Sequence, residues 1–113
     1  MQVIFQSRDA EGAQMRGEAV RRVHFVLRRL SWLVPRAKVH LDDINGPHGG
    51  VDKRCQLEFR TNASGTVVVT AVAGNWSDAL NSALARAART LVRVWQRNRA
   101  HPRMRPMAVG LDG

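Results

Sequence analysis

The order in which strand and helix patterns follow one another constrains this fold more than any other feature of the chain. Residues 37–45 and 51–60 alternate apolar and polar side chains, which is typical of strands with one buried face. Residues 66–73, rich in valine and threonine, and the short segment 2–6 also favour strands. Helical patterns stand before and after the run of three strands. The sequence therefore predicts the order β-α-β-β-β-α.

The first helical pattern covers residues 10–34, where apolar side chains recur three and four residues apart. Ser7 or Asp9 is suited to cap its start. Pro35 should end it, because the residue before a proline is disfavoured in helical conformation. Two glycines should each weaken its first half by about 1 kcal/mol relative to alanine: Gly12 and Gly17.

The second helical pattern begins after Asn75 and runs to about Asn98. Asn75 is a favourable N-cap residue, and Asp78 three residues later forms a short-armed capping box with it. This helix should be the better defined of the two.

Pairing rules turn this order into a topology. Parallel pairing of the first two strands needs a crossover, which the first helix supplies. The last three strands then form an antiparallel meander, joined by a hairpin loop at residues 45–50 and a turn at residues 62–65. Both helices should cover one face of the four-stranded sheet, which gives a two-layer α+β domain.

Four arginines on the second helix are spaced three, four and four residues apart, which places them in one stripe: Arg86, Arg89, Arg93 and Arg97. No acidic residue lies between Asp78 and His101, and the whole chain has a formal net charge of +9. A solvated helix face usually mixes charges of both signs. The unbalanced stripe therefore favours a nucleic-acid contact surface over a merely solvated face.

Little in the sequence favours catalysis, a metal site or a cofactor. Asp42 and Asp43 are adjacent, so on a strand they point to opposite faces. The four histidines show no ligand spacing with Cys55, the only cysteine. Cys55 alternates with Leu57 and Phe59, which indicates a buried small apolar side chain. We expect no enzymatic activity, no small-molecule substrate, no membrane segment and a cytoplasmic location.

Two pairs of residues have more than one interpretation. Phe25 and Trp32 lie among the arginines of the first helix; burial in the core is favoured, and stacking on an exposed RNA base is the alternative. Lys53 and Arg54 begin the third strand; they either protect an edge strand by charge or contact phosphate.

Ordered motifs make the chain resemble a known family. They are the opening strand Val3–Phe5, Met15-Arg16 early in the first helix, Asp52–Leu57, and the segment Asn75–Leu84 that leads into the arginine stripe. In this order they resemble the ribosome hibernation promoting factor family, also called ribosome-associated inhibitors or sigma-factor modulation proteins. The resemblance runs from Gln2 to about Arg97. Long members of the family add a C-terminal dimerisation domain, for which the 113 residues leave no room, so the chain resembles a short form. We expect a folded domain at 1–98 and a flexible basic tail at 99–113.

The resemblance implies a double-stranded-RNA-binding-like fold and binding to the small ribosomal subunit near the decoding region, where messenger and transfer RNA are blocked. The family's basic helix positions map onto Arg16, Arg22, Arg28, Arg29, Arg86, Arg89, Arg93 and Arg97. The charge pattern adds Arg21, Lys53 and Arg54 to the expected RNA-binding set. A monomer is expected away from the ribosome. The alternatives are a general binder of double-stranded RNA or other nucleic acid, and a protein-interaction module that pairs through the edge of the fourth strand or the segment 104–107.

Overall fold

The computed structural model describes residues 1–44, 52–62 and 65–100, the last three without their side chains. The elements are β1 (Gln2–Ser7), α1 (Ala10–Ala13), α2 (Arg16–Val26), β2 (Arg36–Asp43), β3 (Lys53–Arg60), β4 (Thr66–Ala73) and α3 (Trp76–Ala100). The predicted hairpin loop at 45–50, part of the turn at 62–65, and residues 101–113 lie outside the described residues. The proposed boundary at residue 98 therefore stays a prediction.

The four strands form one sheet in the order β1-β2-β3-β4. β1 runs parallel to β2, and β2, β3 and β4 follow as an antiparallel meander. Phe5 lies beside Val39, Val39 opposite Leu57, and Leu57 opposite Val69. The predicted α+β class and strand topology are confirmed, while the double-stranded-RNA-binding-like label stays a prediction.

One face of the sheet carries the hydrophobic core. The alternating positions predicted to point inward are buried: Ala37, Val39, Leu41, Cys55, Leu57 and Phe59. Buried side chains of α2 and α3 join the same cluster, together with Leu27 directly after α2; among them are Val23 of α2 and Leu80, Leu84 and Leu91 of α3. The helices therefore share one layer, as expected.

The predicted first helix is wrong in its extent. It divides into α1 and α2, and residues 27–33 form a series of turns after α2 ends at Val26. In these turns Leu30 N–H donates to Leu27 O and Leu33 N–H to Leu30 O, three residues back. Asn62, which follows β3, holds this segment in place. It donates from its side chain to Trp32 O (2.7 Å) and from its backbone to Leu33 O (3.0 Å). Tertiary hydrogen bonds thus override a helical pattern.

The caps differ between the two helical regions. The predicted cap of α3 is confirmed: Asn75 Oδ1 accepts from Asp78 N–H at 2.8 Å, and Asn75 Nδ2 donates to Asp78 Oδ2 at 2.9 Å. Asp9 stands at the N-cap position of α1 without a side-chain cap bond. Its carboxylate instead accepts from Asp43 N–H at 2.9 Å, which ties the start of α1 to β2.

The buried thiol of Cys55 should make the free energy of unfolding depend on pH in the alkaline range. Burial raises the pKa of its thiol to about 12, against an ordinary value of 9.0. Between these values the folded chain keeps a proton that the unfolded chain releases. The free energy of unfolding should therefore fall with rising pH, by up to about 1.4 kcal/mol per pH unit. Urea unfolding at pH 8.5 and 10, with Cys55→Ala as the control, checks this; equal losses in both proteins would contradict it.

Candidate nucleic-acid interface

A groove separates α2 and the turns that follow it from α3. At one end Arg22 Nη1 donates to Asn81 Oδ1, and at the other the rings of Trp32 and Trp95 meet edge to face, with centroids 6.3 Å apart. Residue numbers rise together along both walls, so the two segments run in the same direction. This parallel arrangement follows from the topology, since β1 and β4 point the same way and each precedes a helix on the same face.

We call this depression the inter-helix groove. Its two main hollows have volumes of about 480 and 580 Å³ and share Val26 as a lining residue. The first is lined by Arg21, Arg22, Phe25, Val26, Asn81, Leu84 and Ala85. The second is lined by Val26, Arg28, Arg29, Leu30, Trp32, Ala88, Val92 and Trp95. A shallower hollow shares Ala88 and Val92 with the second and brings in Arg89 and Arg93.

Arginines line both sides of the inter-helix groove. Arg21, Arg28 and Arg29 stand on the α2 side, and Arg89 and Arg93 on the α3 side. All five are exposed, and none has a carboxylate partner among the residues that the structure describes. This wall of positive charge is therefore open to an external anion.

Arg22 also lines the groove but is engaged within the protein. It lies 2.9 Å from Glu18 Oε2, one helical turn earlier, in addition to its bond to Asn81. Its charge is partly neutralised, and its contacts brace the two helices against each other.

Lys53 and Arg54 lie on β3, which is an inner strand of the sheet, so the predicted protection of an edge strand is wrong. Acidic neighbours hold both residues. Lys53 Nζ is 2.9 Å from Asp43 Oδ2, and this hydrogen bond is the main cause that raises the pKa of the lysine. Arg54 makes two bonds to Asp42, from Nε at 3.0 Å and from Nη2 at 2.7 Å, which raise its pKa as well. These charges stabilise the start of the β2–β3 pairing, and neither residue lines the groove.

The remaining predicted contacts lie around the edges of the groove or away from it. The Arg16 guanidinium is stacked 5.4 Å from the centre of the Phe5 ring, beside β1. Arg86 donates to the carbonyl oxygen of Thr70, so it leans over the edge strand β4. Arg97 is exposed near the end of α3. The arginines of the predicted α3 stripe are thus all exposed, but they do not face one way. Arg86 turns to the edge of the sheet, whereas Arg89 and Arg93 turn to the groove.

The predicted burial of Phe25 and Trp32 is wrong. Phe25 is 65% exposed and Trp32 57% exposed. Arg28 covers one face of Phe25, with its guanidinium carbon 4.3 Å from the ring centre, and Nη1 donates to Phe25 O at 2.7 Å. The helix ends before Trp32, so the periodicity that would have turned this ring inward does not apply to it.

Sequence reasoning did not single out the apolar floor of the groove. Val26, Ala88 and Val92 lie between the arginines of the two walls, and Trp95 is half-buried beside Trp32. On α3, Ala88, Val92 and Trp95 fall between the buried stripe and the arginine stripe. That intermediate angle on the helix is the sequence signal that could have located them.

Membrane spans and metal sites are both absent from the described ranges, 1–44, 52–62 and 65–100. No helix there is long and apolar enough to cross a bilayer. No three or more histidine, cysteine, aspartate or glutamate side chains in those ranges come together as a metal site.

Comparison with known proteins supplies a fold neighbour. No family model and no curated protein matches the sequence. Among solved structures, the N-terminal domain of Protein Y from Thermus thermophilus is similar, with a TM-score of 0.59 and 20% sequence identity. The likeness covers 82% of this chain and 98% of that domain. The chain has the fold of that domain. The predicted α+β fold class is therefore confirmed by a solved structure as well as by the strand topology.

Proposed function

We propose that the chain is a non-enzymatic, cytoplasmic translation inhibitor that binds ribosomal RNA of the small subunit through the inter-helix groove. Bound near the decoding region, it would exclude messenger and transfer RNA by occupying their space. It acts as a monomer, and its affinity comes mainly from arginine–phosphate contacts. The observation that carries this proposal is the set of five exposed arginines on both walls, all without a carboxylate partner in the described part of the chain.

Two further observations support the ribosome as the source of that RNA. The motifs of the sequence resemble the ribosome hibernation promoting factor family, and the fold is similar to the N-terminal domain of Protein Y from Thermus thermophilus. The arrangement of the groove agrees with such a role. Arginines on both sides of an apolar floor suit a folded RNA surface, because A-form RNA is recognised mainly by shape and backbone and unpaired bases can contact apolar side chains.

Salt dependence tests the phosphate contacts. If the five arginines each neutralise one phosphate, the logarithm of the binding constant for small subunits should fall linearly with the logarithm of salt concentration, with a slope of about −3.5 to −4.5. Co-sedimentation of the full chain with purified small subunits over a range of potassium chloride concentrations measures this slope. A slope near zero would contradict binding through phosphates.

A competition arm of the same experiment separates ribosome binding from the alternative of general RNA binding. Random-sequence duplex RNA, added in increasing amounts, should displace the chain from small subunits only at a large molar excess of phosphate. Displacement at equal phosphate concentration would instead favour a general double-stranded-RNA binder.

A further inference from the structure

The inter-helix groove carries an unusual amount of exposed apolar surface. Phe25, Val26, Trp32 and Val92 are 65%, 37%, 57% and 37% exposed, and all four line it. They are four of the seven exposed large apolar side chains in the described part of the chain. Exposed apolar side chains that are grouped in one groove, rather than scattered singly, favour a site that another molecule covers. Phosphate contacts alone do not account for these exposed apolar side chains, because such contacts require only the arginines.

Trp32 is held in a fixed position. Its Nε1 donates to Arg29 O at 3.0 Å, and its own carbonyl oxygen accepts from Asn62 Nδ2 at 2.7 Å. Trp95 lies against it edge to face, at an interplanar angle of 76°. The indole N–H is thus already used within the protein, and what the ring offers to a ligand is a flat apolar surface. A ring fixed in advance loses little conformational entropy when a ligand stacks on it.

The occupant of this surface must combine flat apolar rings with negative charge. Arg28 and Arg29 line the hollow that contains Trp32, and Arg89 and Arg93 border the adjoining one. Unpaired nucleotides have both properties, because their bases stack on aromatic and guanidinium planes while their phosphates pair with arginine. A continuous duplex keeps its base faces stacked internally and cannot supply them.

We infer that the inter-helix groove binds an unpaired nucleotide, whose base stacks on Trp32 while Arg28 and Arg29 contact its flanking phosphates. This rests on the proposed function in that the ligand is RNA, and it adds the class of RNA: a bulge, loop or single strand. Phe25, beneath the guanidinium of Arg28, extends the stacking platform towards the first hollow. The groove thus contributes selectivity through base stacking, in addition to affinity through charge.

Two short RNAs test the inference directly. One is a fully paired hairpin stem, and the other is the same stem with a two-nucleotide bulge. Wild-type protein should bind the bulged RNA about tenfold more tightly, since stacking of one base contributes roughly 1–3 kcal/mol. Trp32→Ala should abolish that preference and leave affinity for the paired stem unchanged. Trp32→Phe, which keeps an aromatic ring, should restore most of it.

A matched control and the charge variants separate the possible outcomes. Val68→Ala, at an exposed valine of β4, should keep the full preference. Equal binding of both RNAs by wild type, or a preference that survives Trp32→Ala, would overturn the base-stacking site while leaving phosphate binding intact. If Arg89→Glu with Arg93→Glu binds both RNAs as wild type does, the proposed function itself fails.

Discussion

Reversing the charges of Arg89 and Arg93 together, as Arg89→Glu and Arg93→Glu, should weaken binding to small ribosomal subunits by at least about 100-fold. A hydrogen bond to a charged group contributes about 1.5–3 kcal/mol, and each 1.4 kcal/mol corresponds to about a factor of ten. Reversal also adds repulsion between the new carboxylates and phosphate. Co-sedimentation at physiological salt, or fluorescence anisotropy with labelled protein, measures the loss.

The two positions are chosen because the fold should tolerate the change. Both side chains are exposed, and neither makes a hydrogen bond or ion pair to any residue that the structure describes. Arg86 is unsuitable because its bond to Thr70 O covers the edge of β4. Circular dichroism and the urea midpoint of the double variant should therefore match those of wild type.

A control with the same change in net charge separates a local effect from a general one. Arg36 and Arg60 lie directly opposite each other on β2 and β3 and are exposed. They line a hollow with Ile4 and Lys38 to which, among the described residues, only strands contribute. Arg36→Glu with Arg60→Glu should reduce binding much less than the groove variant. Equal losses in the two variants would mean that binding follows net charge, and the inter-helix groove would lose its special role.

Much of the fold was predictable because its signals are local. Alternation at Val39, Leu41, Leu57 and Phe59 fixes which face of each strand is buried, and that face then fixes the register of the meander. The helix α3 was equally predictable, because a helical pattern that extends over 25 residues and begins with a capping residue is not easily mistaken for a strand or a loop.

The groove was harder to predict because it depends on contacts between distant parts of the chain. The helical pattern continues through Leu30 and Leu33, but the hydrogen bonds from Asn62 require turns there, and these place Trp32 at the surface. The sequence alone allows phosphate contacts for Lys53 and Arg54, because Asp43 and Asp42, which hold them, lie on another strand. Once the register sets Arg54 opposite Asp42 and Lys53 opposite Asp43, both cations have partners within the protein.

Replacing Gly12 with alanine should lower the free energy of unfolding by about 1–3 kcal/mol, although helix propensity predicts the opposite sign. Propensity alone predicts a gain of up to about 1 kcal/mol. Gly12 is buried in α1, and an added Cβ would lie 2.3 Å from Ser7 Oγ and 3.3 Å from Trp76 Cη2. Ser7 Oγ is not free to move away without loss, because it donates to Asp9 O and accepts from Asp9 N–H.

Gly17 provides the matched comparison for this effect. It is exposed near the start of α2. Outside the local helix backbone, the one described atom within 4 Å of an added Cβ is Arg21 Nη1 at 3.3 Å, the end of a flexible side chain. Gly17→Ala should therefore stabilise the protein by up to about 1 kcal/mol. Urea unfolding of the two variants beside wild type gives both values. If Gly12→Ala proved as stable as Gly17→Ala, α1 would not be packed between β1 and Trp76, and the close approach at Gly12 would not be what requires glycine there.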